Sequence, residues 1–104
     1  MIKDLFIGPR NSGKTTRAQA ALKANPDALY FDFSRAFHSN LVRGHRGPII
    51  IDEFLLLHNS RLQQLCLLLD YFDFYLYGAL DYSWEVYPQP LIDLLAAQYP
   101  EYFI

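Results

Sequence analysis

The segment Gly8-Pro9-Arg10-Asn11-Ser12-Gly13-Lys14-Thr15 places two glycines, a lysine and a hydroxyl residue at the spacing G-x-x-x-x-G-K-S/T. That pattern suits polyphosphate. The glycines let the backbone curl so that successive N–H groups face one anion-sized hollow. A helix starting just after them aims its unpaired N–H groups and positive dipole end at the same hollow. Lys14 would reach the β- and γ-phosphates, and the Thr15 hydroxyl would ligate a Mg²⁺ that also bridges phosphate oxygens. Gly8, Pro9, Arg10, Asn11, Ser12, Gly13, Lys14, Thr15 and Thr16 are thus the expected nucleotide contacts, with ATP and Mg²⁺ as the expected ligands. The bland alternative is a glycine turn capped by Lys and Thr. With glycine at about 7% of average usage, this spacing arises by chance in well under roughly 1% of chains of this length, which favours the phosphate reading.

A second chemical signal is Ile49-Ile50-Ile51-Asp52-Glu53, an apolar run ending in two acids. In open α/β sheets ligands sit beyond the carboxyl ends of the strands. Asp52 there would hold Mg²⁺. Glu53, pointing elsewhere, would accept a proton from a nucleophile, either water or a substrate hydroxyl. Lys14 and Glu53 are the expected catalytic residues, and Thr15 and Asp52 the expected metal ligands.

These residues need elements to position them. Lys3 to Ile7 reads as a first strand, Lys14 to Ala24 as an alanine-rich helix that Asn25-Pro26 ends, and Ala28 to Phe33 as a second strand. Ser34 is a candidate N-cap for a short helix through Leu41, and Gly44 to Pro48 is a turn. Pro48 to Glu53 is the clearest strand. Its consecutive β-branched residues suit a parallel strand buried on both faces. Asn59 to Asp70 is a leucine-rich helix, Phe72 to Gly78 a fourth strand, Leu91 to Gln98 a last helix, and Tyr99 to Ile104 a tail or short strand. Alternation of this kind predicts an α/β fold, P-loop NTPase-like, with a mostly parallel sheet of about four strands flanked by helices. At 104 residues the chain is expected to be a single nucleotide-binding domain over 1–104.

Composition sets outer bounds. The chain is 52% hydrophobic and 19% charged, which supports a packed core and argues against disorder. Residues 1–47 hold eight of the nine Lys/Arg and three of the eleven Asp/Glu, so the half with the glycine loop is basic and suits an anionic ligand. Overall acidity argues against broad nucleic-acid binding. The lone Cys66, in Leu-Cys-Leu-Leu, reads as a buried small hydrophobe. It leaves no internal disulfide and no cysteine-built zinc site. No signal-peptide core or membrane-length apolar run is present, so a cytoplasmic setting with no membrane partner is expected.

The loop Gly8-Pro9-x-x-Ser12-Gly13-Lys14-Thr15-Thr16 resembles the phosphate loop of thymidine kinases of the cellular and poxviral type, which reads Gly-Pro-Met-Phe-Ser-Gly-Lys-Ser/Thr. Asp52-Glu53 resembles their Asp-Glu-x-Gln-Phe segment, without its Gln. Tyr77-Gly78-Ala79-Leu80-Asp81-Tyr82 resembles, more loosely, a later strand ending in Gly-Leu-x-x-Asp-Phe. The resemblance implies a minimal thymidine kinase in which Lys14 and Thr15 bind phosphate and Mg²⁺, Asp52 serves the metal, and Glu53 deprotonates a nucleoside 5′-hydroxyl. That family's zinc-binding subdomain and thymine-gripping lasso have no counterpart in this sequence. The ATP half of such a site is retained, and the thymidine half is lost, rebuilt or donated by another subunit.

The remaining polar and aromatic residues have two readings each. Arg35, Arg43 and Arg46, with His38 and His45, lie between the two motifs. One arginine there could neutralise a transferring phosphoryl group, but a solvated basic loop is the favoured reading. His38, His45 and His58 lack paired metal spacing. The aromatics from Tyr71 to Tyr77 read as core plus subunit interface rather than base-stacking surface, whereas Tyr82 and Trp84 are better placed to stack a base. Asp81 either meets substrate or caps a turn. The leading expectation is MgATP-dependent phosphoryl transfer to a nucleoside. An ATPase with Glu53 activating water and a non-catalytic nucleotide-binding regulator are the alternatives. Aromatic content of 16% in so short a chain predicts homo-oligomerisation.

Overall fold

The computed structural model describes residues 1–8, 13–32, 35, 37–57, 59–79, 89–98 and 100. They form strands β1 (Ile2–Gly8), β2 (Leu29–Phe31), β3 (Ile49–Asp52) and β4 (Phe74–Ala79), and helices α1 (Lys14–Ala24), α2 (Asn59–Leu68) and α3 (Gln89–Gln98). Short 3₁₀ turns occupy Ser39–Val42 and Phe54–Leu56. The four strands make one sheet in the order β1-β4-β3-β2, every pair parallel. The expected α/β class and parallel sheet are therefore present.

Side-chain alternation sorts the two faces of the sheet. Leu5, Ile7, Phe31, Ile49, Ile51, Phe74 and Leu76 point to one face and pack with Leu62, Leu65 and Leu95 from α2 and α3. Phe6, Ile50 and Tyr77 point to the other and pack under Ala18, Ala21 and Leu22 of α1. Ile2 joins the first face although its parity is opposite to that of Leu5. The register shift between Ile2 and Asp4 makes Lys3 an extra residue, which restores the alternation. Edge-on ring pairs Phe31–Phe37 at 5.5 Å and Phe37–Phe74 at 6.3 Å close the larger core.

Helix α1 has the predicted bounds at both ends. Its C-terminus is sealed by Asn25, whose backbone N–H reaches Ala21 O and Leu22 O and whose side chain also donates to Ala21 O at 2.9 Å. Pro26 cannot continue the helix. The core-facing stripe Lys14, Ala18, Ala21 and Leu22 follows helical spacing, so a lysine begins a buried face. Arg17 anchors the same helix to β1 through two bonds to the Asp4 carboxylate, 2.9 and 2.6 Å, which also accepts from the Tyr77 hydroxyl at 2.7 Å. Burial, then the bond to Asp4, raises the Tyr77 pKa, so its hydroxyl stays a donor.

The helix predicted from Ser34 to Leu41 does not form as expected. Asp32 and Arg35 pair as an isolated antiparallel bridge, Phe37 enters the core, and among the described residues of this segment the helical turn is confined to Ser39–Val42, a 3₁₀ helix. His38 caps that turn, its Nδ1 accepting from Asn40 N at 3.0 Å, and Ser34 lies outside the described residues. Burial of the Phe37 ring outweighs local helix propensity here. The turn is tied to α2 by Arg61, which donates to Phe37 O at 2.9 Å, and by Gln64, which accepts from Ser39 N at 3.2 Å. Cys66 is half-buried rather than buried, packed against the core, and that burial pushes its thiol pKa up.

Gly78 packs closely against Leu55 and Phe54. A Cβ there would lie 2.8 Å from Leu55 Cγ and 3.0 Å from Phe54 Cε1, both in buried side chains. Gly78→Ala should therefore cost about 1–3 kcal/mol by overpacking. Chemical denaturation would measure it, and wild-type stability would mean that Leu55 has room to yield.

Candidate functional site

Parallel pairing puts all four carboxyl strand ends at one end of the sheet. The connection leaving β1 runs to α1 on one face, and that leaving β3 runs to α2 on the other. Diverging connections of this kind open a crevice beyond the strand ends. β4 lies between β1 and β3, a separation of roughly 10 Å at about 4.8 Å per strand step. α1 bridges that gap because it packs chiefly on β4 and β3. Its first turn consequently meets the acidic end of β3.

Gly13 begins that turn with φ 90°, ψ 12°, a left-handed conformation that glycine adopts without strain. As N-cap, Gly13 supplies no side-chain hydrogen bond, and the first turn of α1 holds no acid. Lys14, 7% exposed, ends its buried stripe between two carboxylates. Its Nζ forms an ion pair with Glu53 Oε1 and lies 3.8 Å from Asp52 Oδ1. Thr15 Oγ1 donates to Asp52 Oδ2 at 3.0 Å. Thr16 lies exposed on the same turn.

Glu53 departs from expectation. Adjacent residues of a strand point to opposite faces, and Glu53 was expected to point away from Asp52. Instead both acids converge on Lys14, because Glu53 leaves the strand with φ 61°, ψ 39°. Among the described residues it is the only non-glycine with positive φ. That conformation costs roughly 1–2 kcal/mol. Such strain persists where the surroundings over-determine it, often at functional positions.

Two residues without a motif complete the cluster. Tyr30, in β2, donates to Asp52 Oδ2 at 3.5 Å, and Gln19, one turn after Thr15 on α1, donates to the Tyr30 hydroxyl at 3.4 Å. Burial, then the Asp52 carboxylate, raises the Tyr30 pKa and keeps the hydroxyl protonated. Asp52 Oδ2 thus receives two donors, while Oδ1 is buried and accepts no hydrogen bond.

The chain matches no protein-family model, no curated protein and no solved structure. The site's chemistry rests on its own geometry.

The paired oxygens of Thr15 and Asp52, with Oδ1 left without a hydrogen bond, fit a hard divalent cation that takes its other ligands from phosphate and water. Among the described residues no three His, Cys, Asp or Glu side chains group to hold a metal by themselves. Two of the other candidate cations lie away from this cluster. His45 and Arg46 line a cleft with Met1, Asp27 and Asp73, at the amino ends of the strands and so opposite Asp52. Arg35 is exposed and stacks on Phe31, its guanidinium carbon 5.0 Å from the ring centroid. Arg43 is exposed. Phe74 and Tyr77 are core residues, as favoured, whereas Tyr71 is 78% exposed. Pro9, Arg10, Asn11, Ser12, His58, Asp81, Tyr82 and Trp84 lie outside the described residues. No helix among the described residues is long and apolar enough to cross a membrane.

Proposed function

We infer that the chain is a P-loop nucleotide-binding protein that takes MgATP at this cluster and transfers the γ-phosphoryl group to a nucleoside-like hydroxyl. One observation carries the reading. Lys14 and Thr15, which end the glycine motif, meet Asp52 and Glu53, which end the acidic strand, although Thr15 and Asp52 are 37 positions apart in the chain. The nucleoside acceptor rests on the resemblance to thymidine kinases.

Lys14 is engaged by the Asp52 and Glu53 carboxylates. A triphosphate entering over the α1 N-terminus offers the ammonium a stronger anionic partner. Lys14 then turns to the β- and γ-phosphates, and Glu53 is released. A bound Mg²⁺ would neutralise phosphate charge and draw in phosphate oxygens beside Thr15 and Asp52. Glu53 accepts the proton of the acceptor hydroxyl as that oxygen bonds to the γ-phosphorus. The bond from γ-phosphorus to the β–γ bridging oxygen breaks, leaving ADP.

The test is transfer of label from γ-labelled MgATP across a nucleoside panel, with a control lacking nucleoside. A labelled nucleoside at several times the control is expected. Free phosphate from the control with no labelled nucleoside would make water the acceptor. No turnover despite ATP binding would leave a regulatory nucleotide-binding protein, and no ATP binding would overturn the reading as a whole.

A further inference from the structure

Asp52 is held asymmetrically. Its Oδ2 takes bonds from Thr15 on α1 and Tyr30 on β2, while its Oδ1, deprived of hydrogen bonds, lies 3.8 Å from the Lys14 ammonium. A carboxylate that rotates freely about its last bond would present either oxygen to a cation. Two donors on one oxygen remove that freedom and fix which oxygen faces the phosphate position.

The fold explains why Tyr30 reaches this point. It pairs with Ile50 in the parallel ladder, so its side chain stands on the α1 face, two residues before Asp52 on the neighbouring strand. Gln19 and Thr15 are four residues apart and share one face of α1. Thr15, Asp52, Tyr30 and Gln19 therefore form a chain of contacts that leaves α1, crosses β3 and β2, and returns to α1. Half-burial suits a supporting role: Tyr30 is neither a core filler nor a free surface hydroxyl.

We propose that Tyr30, steadied by Gln19, is a positioning residue that orients Asp52 toward the metal–phosphate position, so that its hydroxyl contributes to Mg²⁺-dependent nucleotide affinity without touching the nucleotide. This rests on the nucleotide-binding reading above. Phe keeps the ring and removes only the donor, so Tyr30→Phe retains the packing against the smaller core cluster that contains Ile50.

The experiment is calorimetric titration of ATP into the full chain, once with excess Mg²⁺ and once with EDTA. Wild type, Tyr30→Phe, Asp52→Asn and the double variant are compared. Tyr30→Phe should keep the EDTA affinity within about twofold and lose about fivefold in Mg²⁺, the worth of one modest hydrogen bond. In the Asp52→Asn background the same change should have no further effect, because Tyr30 acts through Asp52. Gln19→Ala, an exposed change, should move affinity in the same direction by about twofold. Equal losses in Mg²⁺ and EDTA would make Tyr30 a structural residue only and overturn the proposal, as would wild-type affinity in both. If the wild type gains nothing from Mg²⁺ the proposal also falls. If the wild type does not bind ATP at all, the nucleotide reading itself fails, an outcome distinct from the others.

Discussion

Glu53→Gln will bind MgATP at least as tightly as the wild type and lose roughly 100-fold or more of phosphoryl transfer, the usual worth of a general base. Both halves of that expectation follow from one contact. The Glu53 carboxylate holds the Lys14 ammonium, and so competes with an incoming triphosphate for the same cation. It also stands, with Asp52, as buried negative charge that would repel an incoming triphosphate. An amide of the same size relieves the competition and the repulsion but cannot accept a proton. Gln occupies the left-handed backbone of residue 53 no more easily than Glu, so the strain and the turn into Phe54–Leu56 are unchanged. Calorimetry for affinity and single-turnover transfer for rate separate the effects. A Gln variant that keeps wild-type transfer would remove Glu53 from the chemistry. One that loses ATP binding would make the Lys14–Glu53 pair a requirement for the pocket rather than a latch upon it.

Lys14→Ala is expected to be destabilising as well as unable to bind nucleotide. Removing one partner of a buried ion pair costs about 3–5 kcal/mol, because the other partner is left as uncompensated buried charge. Here two carboxylates, each 6% exposed, would face each other without the ammonium. At about 4–8 °C per kcal/mol for a domain of this size, the melting temperature should fall by roughly 12 °C or more. Adding Glu53→Gln to Lys14→Ala removes one of the two charges and should recover about half of the loss. Lys3→Ala, an exposed change, serves as the control and should stay within about 0.5 kcal/mol of wild type. If Lys14→Ala melts like Lys3→Ala, water has already compensated the carboxylates, and the electrostatic account of the pocket is wrong.

The buried ammonium also explains the shape of α1. A helix whose apolar stripe is Ala18, Ala21 and Leu22 would ordinarily place another small apolar residue at position 14. Lysine is acceptable there because the stripe ends over two acids rather than over the core. Asp4, by contrast, takes Arg17 and Tyr77 at the edge strand, where it ties the helix down away from the Lys14 cluster. The helix is thus held by charge on both sides of its buried stripe, and only one of the two clusters lies at the carboxyl end of the sheet's inner strands.

Local chemistry in the sequence determined much of this protein. Gly13 before the alanine-rich run and Asn25-Pro26 after it delimit α1, since helix propensity and a proline stop act within a few residues. The isoleucine run of β3 implies burial on both faces, and alternation with helices implies a parallel sheet, so the meeting of a glycine loop and an acidic strand end could be anticipated. Tertiary structure decided the rest. The segment after Phe31 gave up its expected helix because Phe37 is worth more in the core than in a solvated turn. Glu53 faces Lys14 instead of pointing away because a left-handed residue ends β3, and a backbone choice of that kind leaves no mark in residue type when the residue is not glycine. Tyr30 and Gln19 reach Asp52 only because β2 lies beside β3 and α1 crosses both β4 and β3. Strand order and helix crossing are set by how all the layers pack at once, and no local pattern in a tyrosine or a glutamine encodes them.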